Sequence, residues 1–314
     1  MSWWGRANVA DRALVKVFYS PEYVGATYAF ETTRKAKWVA DSLHEAPIAD
    51  IELAEPESLT SEQVESVHDP RYVNAVETGE PRYLAESQGF VWDAGLWPMV
   101  LSSNGGVVAA ALEALDTGMS GSLSSGLHHA RRGSGAGFCT FNGLVIAAKA
   151  AIYAGAESVL ILDLDAHCGG GTASLIAGER GIWQTDVAVC GFDFYGTPED
   201  PDDARRINFR VSGDSAHYLG DIELALSETA QAKPRFDLCL YNAGMDPYEG
   251  CSTGGLTGVT ADMLAAREKS ALAWCREHAG ATVFVLAGGY LGWGLDQEGL
   301  VGLHRLTLEA AASS

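Results

Sequence analysis

The chain has 314 residues, of which 47% are apolar and 20% charged, with 36 glycines and a formal net charge of −20 at pH 7. This composition is typical of a globular protein, and we expect one α/β domain spanning residues 1–314. The acidic balance excludes a protein that wraps nucleic acid, because phosphate binding depends on Lys and Arg.

No apolar run reaches the length needed to cross a membrane, and residues 1–6 lack the pattern of a secretory signal. The sequence therefore predicts a cytoplasmic protein without a membrane partner. Its six cysteines are scattered without a CxxC pair, so we expect free thiols rather than disulfides.

The first part of the chain contains both strand-like and helical patterns. The predicted elements are a strand at 14–19, a helix at 33–43, a helix at about 60–76, a loop at 79–98 and a helix at 102–115. Thr60 and Gln63 form the capping box that begins the second helix. The loop is aromatic and punctuated by Gly and Pro, so it could form the rim of a binding site.

The rest of the chain alternates strands with helices. The predicted elements are a helix at 142–153, strands at 158–163, 187–190 and 207–211, a helix at 215–230, a strand at 236–241, a helix at 260–278 and a strand at 282–286. This alternation is typical of a mostly parallel sheet covered by helices on both faces. Such sheets bind ligands at the carboxyl ends of their strands.

The strand at 158–163 is followed at once by carboxylates, an imidazole and three glycines. Asp165 and His167 lie two residues apart, so in an extended chain their side chains point the same way. Neighbouring buried carboxylates are unfavourable without a cation, because like charges that close do not both stay ionised. The pattern indicates half of a divalent-metal site, and a hydrogen-bonded network at the strand end is the alternative.

Three further segments bring polar side chains toward the same edge of the sheet. Asp246 and Tyr290 each follow a predicted strand, and His128 and His129 are adjacent in a glycine-rich loop. Two Asp and one His around an ion leave a position open for water, whose pKa the ion lowers. A histidine can then accept the proton of that water, and a tyrosine can stabilise an oxyanion. These residues together indicate hydrolysis of an amide.

Five runs, in this order, resemble the signature of the zinc-dependent histone deacetylase and acetylpolyamine amidohydrolase family. They are GLHHA at 126–130, GFC at 137–139, DLDAH at 163–167, AGMD at 243–246 and GGY at 288–290, with HDPRYV at 68–73 resembling an upstream motif. One run alone would be a weak signal, whereas five in order are specific. The resemblance implies the single-domain, three-layer arginase/deacetylase α/β fold, with a mostly parallel sheet of about eight strands.

The resemblance also implies a role for each residue of these runs. The implied zinc ligands are Asp165, His167 and Asp246, and the implied catalytic residues are His128, His129, Tyr290 and, as the partner that orients His128, Asp163. One zinc ion per chain is implied, because arginase-like ureohydrolases need further carboxylates for a second ion. Gly169 and Tyr248 stand at those positions here.

The resemblance further implies an acyl-lysine-like tunnel and an inner potassium site. Gly137 and Phe138 would line the tunnel, with Phe194 or Tyr195 on its opposite wall. Asp163 would contribute to the potassium site. Potassium is a weaker expectation than zinc, because Cys190 replaces the serine expected there.

One departure from the family pattern concerns the second tandem histidine. Gly170 stands where the family usually carries an Asp or Asn that orients this histidine. The sequence therefore predicts that His129 lacks its usual carboxylate or amide partner, which would weaken its acid/base role.

We therefore expect a zinc-dependent deacetylase acting on an N-acylated amine, such as an acetylpolyamine, an acetyl-lysine or a small metabolite. The acidic chain favours a small cationic substrate, and Asp93 and Glu249 are candidate contacts for its ammonium group. One alternative is a catalytically weakened member that binds zinc and an acyl ligand, suggested by Gly170 and Cys168. A ureohydrolase with two manganese ions is another, and the sequence leaves a homo-oligomer open.

Overall fold

The computed structural model describes residues 14–27 and 31–313, so residues 1–6, examined above for a signal, lie outside the described residues. The strands are β1 (Val15–Phe18), β2 (Ile51–Ala54), β3 (Met119–Ser122), β4 (Val159–Asp163), β5 (Ile182–Ala188), β6 (Ile207–Val211), β7 (Phe236–Asn242) and β8 (Ala279–Val285). They form one sheet in the order β2-β1-β3-β8-β7-β4-β5-β6, and every neighbouring pair is parallel. The predicted parallel sheet of about eight strands is confirmed.

Helices connect these strands. They are α1 (Glu31–Glu45), α2 (Ser61–Glu65), α3 (Pro70–Thr78), α4 (Arg82–Ala85), α5 (Leu96–Thr117), α6 (Gly143–Tyr153), α7 (Gly170–Ile176), α8 (Pro201–Arg206), α9 (Ser215–Ala232), α10 (Ala261–His278) and α11 (Gln297–Ala312). Thr60 and Gln63 make the predicted capping box at the start of α2. Thr260 caps α10 through its side chain, at the predicted start of this helix.

The sheet lies between two apolar cores. All five residues of β4 are buried, which explains why this strand is a continuous apolar run rather than an alternating one. Leu160 and Leu162 pack into the core that contains residues of α1, α9, α10 and α11. Val159 and Ile161 point the other way, into the core that contains residues of α5 and α6. Helices therefore cover both faces, giving three layers.

Helix α5 is long and apolar enough to cross a membrane by length and composition, contrary to the expectation that no run reaches this length. In this fold 61% of its most apolar window is buried inside the protein. A Cβ atom on Gly106 of this helix would lie 2.8 Å from the Ser122 hydroxyl and closer still to that of Tyr23. The apolar composition of α5 thus matches its place in the core, against β1, β3 and β8.

Strands β2 and β3 were not predicted from the sequence. Each has four residues, and β3 reads Met-Ser-Gly-Ser, without a continuous apolar run. Its glycine has a packing role, because a Cβ atom on Gly121 would lie within 2.7 Å of the Phe284 ring on β8. The predicted loop at 79–98 contains the short helix α4 and the first residues of α5, so it is more regular than expected.

The order of the sheet determines where the functional side chains meet. Strand β4 lies between β7 and β5, and β8 lies beyond β7. In register, Asp163 at the end of β4 is opposite Asn242 of β7, which is opposite Val285 of β8. The segments that follow β4, β7 and β8 therefore leave the sheet side by side, at its carboxyl edge.

Candidate active site

The first feature at this edge is a buried group of two carboxylates and one imidazole. Asp165, His167 and Asp246 each offer a ligand atom, and these atoms all lie within 4.8 Å of one another. His167 Nδ1 is 3.0 Å from Asp165 Oδ1 and 3.1 Å from Asp246 Oδ2. Backbone amides hold the carboxylates, since Gly288 donates to Asp165 Oδ2 at 2.6 Å and Ala166 donates to Asp246 Oδ1 at 3.0 Å.

The composition of this group fits a divalent metal ion. Asp246 is fully buried, and its Oδ2 atom accepts no hydrogen bond from the described residues. Burial and the nearby Asp165 raise the pKa of Asp246 to about 6, which indicates that two adjacent anions need a cation. A Cβ atom on Gly288 would lie 2.5 Å from Asp165 Oδ2 and closer still to Asp246 Oδ2, so the glycine keeps the space between the carboxylates open.

The first tandem histidine is paired with a carboxylate, as the sequence predicts. His128 Nδ1 lies 2.8 Å from Asp163 Oδ2, and both side chains are buried. The other oxygen of Asp163 accepts hydrogen bonds from Asn242 Nδ2 at 2.8 Å and the Asp165 amide at 3.2 Å. Burial opposes a charge on His128, but Asp163 and Asp165 raise its pKa to about 10. The two carboxylates therefore favour the protonated form of this ring.

The second tandem histidine also has a carboxylate partner, so the prediction drawn from Gly170 is wrong. His129 Nδ1 lies 3.0 Å from Asp193 Oδ2, which belongs to the loop after β5. Burial and the neighbouring charge on His128 lower the pKa of His129 to about 4. The two rings lie 3.9 Å apart between centroids, so a positive charge on one ring disfavours a positive charge on the other.

Aromatic rings flank the tandem histidines. The Phe192 ring lies edge-on to His129 at 4.9 Å and to His167 at 5.8 Å. A Cβ atom on Gly137 would lie 2.5 Å from the His129 ring and 3.1 Å from Phe192, so only glycine fits there without a shift. Phe138 stacks on Phe90 at 5.7 Å. Gly137, Phe138 and Phe192 therefore surround the approach to His129.

The residues expected on the opposite wall lie in the loop after β5. Phe194 packs edge-on against Phe209 at 4.9 Å, and 58% of it is exposed. The Tyr195 hydroxyl donates to Asp186 Oδ2 at 3.1 Å. Phe192, earlier in the same loop, is the aromatic residue of this segment that contacts His129. A tunnel wall formed by Phe194 or Tyr195 stays a prediction.

The two carboxylates proposed to hold a substrate ammonium have backbone partners instead. Asp93 accepts hydrogen bonds from the Thr27 amide at 2.9 Å and the Gly95 amide at 2.7 Å. Glu249 accepts one from the Gly258 amide at 2.9 Å. Neither residue lines the cavity beside the metal-ligand group. Contact of Asp93 or Glu249 with a substrate ammonium stays a prediction, and in this structure both carboxylates stabilise loop turns.

A cavity with a volume of about 50 Å³ for the centre of a water-sized sphere adjoins these residues. Its lining includes Asp165, both tandem histidines, Gly137, Phe138 and Tyr290, and on its inner side Tyr23, Thr32 and Met99. Only 8% of Tyr290 is exposed. Burial and the carboxylates of Asp246 and Asp165 raise the pKa of Tyr290 well above its usual value, so its hydroxyl stays protonated.

Sequence reasoning missed a buried cation beside this cavity. Lys35 of α1 is 1% exposed, and its ammonium group donates to the Thr32 carbonyl at 2.5 Å and hydroxyl at 3.0 Å. Burial lowers the pKa of Lys35 to about 8, although Asp246 and Asp165 oppose this. Its helical position was a usable signal, because Lys35 lies on the same face as Val39 and Leu43.

Two other side chains of the site could have been found from the rule that ligands bind at the carboxyl ends of parallel strands. Phe192 and Asp193 follow the end of β5, just as the buried carboxylates and imidazole described above follow β4 and β7. The sequence prediction placed that strand at 187–190, so the segment seemed an ordinary loop. The backbone there is unusual as well: Leu127, Phe138 and Asp193 have φ angles of 59°, 65° and 58°. Non-glycine residues in this region are often found at functional sites.

Comparisons with known proteins agree with this geometry. A profile of the histone deacetylase domain matches residues 29–298. The chain is 33% identical over 245 residues to an uncharacterized protein of Picosynechococcus sp., covering 72% of this chain and 75% of the relative. It is 27% identical over 283 residues to a probable deacetylase of Archaeoglobus fulgidus, covering 83% and 76%.

A solved structure is similar in fold. The acetylpolyamine aminohydrolase from Burkholderia pseudomallei superposes with a TM-score of 0.80 at 20% identity. The match covers 95% of this chain and 99% of that chain. At this level of identity the likeness shows the fold alone.

Proposed function

The chain belongs to the histone deacetylase family, and from this premise we propose that it is a zinc-dependent amidohydrolase that removes the acyl group from an N-acylated amine. The observation that carries the proposal is the buried group of Asp165, His167 and Asp246 beside a cavity that also contains two histidines and a tyrosine. A catalytic zinc site has three such ligands and one open position, so one ion per chain is proposed.

The tandem histidines would move the protons of the reaction. Zinc, when bound, lowers the pKa of a water molecule and polarises the acyl carbonyl. The Nδ1 atoms of His128 and His129 face Asp163 and Asp193, which leaves the Nε2 atom of each ring to exchange a proton. His129, the neutral ring, would accept the proton of the attacking water. The protonated His128 would stabilise negative charge and supply a proton to the leaving amine.

The remaining residues would position the acyl group. The Tyr290 hydroxyl, kept protonated by burial, would donate a hydrogen bond to the developing oxyanion. Phe138, which lines the cavity, would contact the apolar part of the substrate. Phe192, edge-on to His129, would help to exclude water from the reacting carbonyl. Such exclusion strengthens every hydrogen bond in the site.

The proposed substrate class is a small N-acylated amine. The net charge of −20 would attract a cationic amine over a long range, which does not require Asp93 or Glu249. The similar fold of an acetylpolyamine aminohydrolase is compatible with this class. Turnover of an acetylpolyamine should exceed that of a neutral N-acyl amine at low salt, and the ratio should fall as salt screens the charge. An unchanged ratio would contradict the proposed charge preference.

The catalytic part of the proposal is tested by removing the metal and the tyrosine hydroxyl. Hydrolysis of a fluorogenic acyl-lysine should stop with a chelator and return with zinc. Tyr290→Phe should lower kcat by about 100-fold or more, whereas Tyr153→Phe, at a residue 96% exposed, should not change it. Activity that survives both treatments would contradict the proposal. An inactive wild-type protein that binds zinc would favour the catalytically weakened member considered above, although Asp193 supplies the partner of His129 that Gly170 alone would not.

A further inference from the structure

Asp193 lies beside His129 in space that a side chain at position 170 would occupy. A Cβ atom on Gly170 would lie 2.8 Å from Asp193 Oδ1 and closer still to the Asp193 backbone carbonyl. A side chain at position 170 and Asp193 in its present place therefore exclude each other. The absence of a carboxylate at position 170, at the start of α7, is therefore what leaves room for the carboxylate of Asp193 in the loop after β5.

Every oxygen of the Asp193 carboxylate has a partner. Oδ2 accepts hydrogen bonds from His129 Nδ1 and the Gly171 amide, both at 3.0 Å. Oδ1 accepts one from Arg131 Nη2. Arg131 also donates from Nη1 to the Gly170 carbonyl at 3.0 Å, so it links the loop to the start of α7. With only 8% of its side chain exposed, Asp193 is held in one orientation.

The loop that carries Asp193, residues 190–196, is held in a conformation that an isolated chain disfavours. Asp193 has a φ angle of 58°, in the left-handed region. Asp tolerates this region better than most residues, but it still persists only where surrounding contacts fix it. Those contacts are the carboxylate bonds and the hydrogen bond from the Cys168 amide to the Phe192 carbonyl at 3.0 Å.

We propose that Asp193 is the positioning residue of His129, that it sets the tautomer and orientation of this ring, and that Gly170 and Arg131 make its placement possible. The inference rests on the proposed function, because it assigns a role within the same site. The adjacent Phe192 contacts the same histidine at 4.9 Å. One loop therefore fixes both the proton-accepting ring and an aromatic contact of the substrate approach.

The first test replaces the carboxylate without disturbing the backbone. Asn also tolerates the left-handed region, so Asp193→Asn keeps the shape of the loop while its amide group would oppose Arg131. We expect kcat to fall by about 10- to 100-fold, KM to change by less than about 2-fold, and bound zinc to remain at one per chain. Glu199→Gln, at an exposed residue six positions further on, is the matched control and should leave kcat unchanged.

A second readout separates positioning from a structural role. In protein with 15N-labelled histidine, the Nδ1–H signal of His129 should be shifted downfield by the carboxylate and should lose this shift in Asp193→Asn. His129→Ala assigns the signal among the eight histidines. A kcat within 2-fold of wild type together with an unchanged His129 signal would overturn the proposal. If the wild-type protein proved inactive, the proposed function would fail, while the signal would still decide whether Asp193 holds His129.

A second variant acts on the loop from the other side. Gly170→Ala should displace Asp193 by steric contact and lower kcat as Asp193→Asn does. Because both changes break the same interaction, the double variant should be no slower than the slower single variant. Independent, multiplying effects would show that Gly170 and Asp193 do not act together, and this would overturn the steric part of the proposal.

Discussion

Gly288→Ala would place one methyl group between the carboxylates of Asp165 and Asp246, the proposed metal ligands. The added carbon would lie 2.5 Å from Asp165 Oδ2, whereas real Cβ atoms essentially never approach another atom closer than 3.0 Å. That carboxylate must therefore withdraw by at least about 0.5 Å, and Asp246 by more, compared with a tolerance of about 0.2 Å in metal-ligand distances. The backbone of Gly288 is outside the left-handed region, so alanine adds no backbone strain there.

We expect the affinity for zinc to fall at least about 100-fold, the upper end of what displaced neighbours of a metal ligand cost. At a free zinc concentration 100 times the wild-type Kd, binding stabilises the wild-type protein by about 2.7 kcal/mol and the variant by about 0.4 kcal/mol. At roughly 2 °C per kcal/mol, zinc should raise Tm by about 5 °C in wild type and about 1 °C in the variant.

The assay is a zinc titration against a chromophoric chelator, with thermal unfolding followed in the presence and absence of zinc. Gly302→Ala is the control, because this exposed glycine of α11 has nothing within 4 Å of the added carbon. The control should bind zinc as wild type does and gain up to about 1 kcal/mol from helix propensity. Zinc affinity within threefold of wild type in Gly288→Ala would refute the placement of the metal between these carboxylates.

Two further predictions concern protons and the aromatic wall. Although burial opposes it, Asp165 and Asp246 raise the pKa of His167, and burial and Asp165 raise the pKa of Asp246 to about 6. Protons should therefore compete with zinc, so the zinc Kd should rise as pH falls, and more steeply below pH 6. A Kd that is constant between about pH 7 and 5 would contradict this protonation step. Phe192→Ala should raise KM about 10-fold, the loss of one aromatic contact, whereas Phe194→Ala, equally exposed but packed on Phe209, should change KM less than 2-fold. Similar effects of the two changes would contradict the assignment of Phe192 to the substrate approach.

The sequence predicts the sheet and the metal-ligand group well because both follow from local patterns. A buried apolar strand followed by carboxylates marks the end of β4, and the same pattern marks β7. Four-residue strands such as β3 have no such pattern, since their place depends on Gly121 packing against Phe284 of a strand 160 residues later.

The partners within the site are harder to predict, because they depend on contacts between distant segments. His129 contacts Asp193 because of the conformation of the loop after β5. Arg131 and the space left at Gly170 fix that conformation. No spacing rule gives such a contact. The burial of Lys35 could be predicted only in part. The helical pattern places Lys35 on the apolar face of α1, but it does not show the cavity next to that face.

The left-handed residues around the cavity affect how this protein would respond to selection for heat resistance. Of the four described non-glycine residues with positive φ, Leu127, Phe138 and Asp193 adjoin the tandem histidines. Glycine adopts this conformation without steric cost, so replacing any of them with glycine would relieve roughly 1 kcal/mol or more of strain, offset in part by lost contacts. Each replacement would also remove a side chain that shapes or orients the site. Where the relieved strain outweighs the lost contacts, selection for stability alone would therefore act against activity.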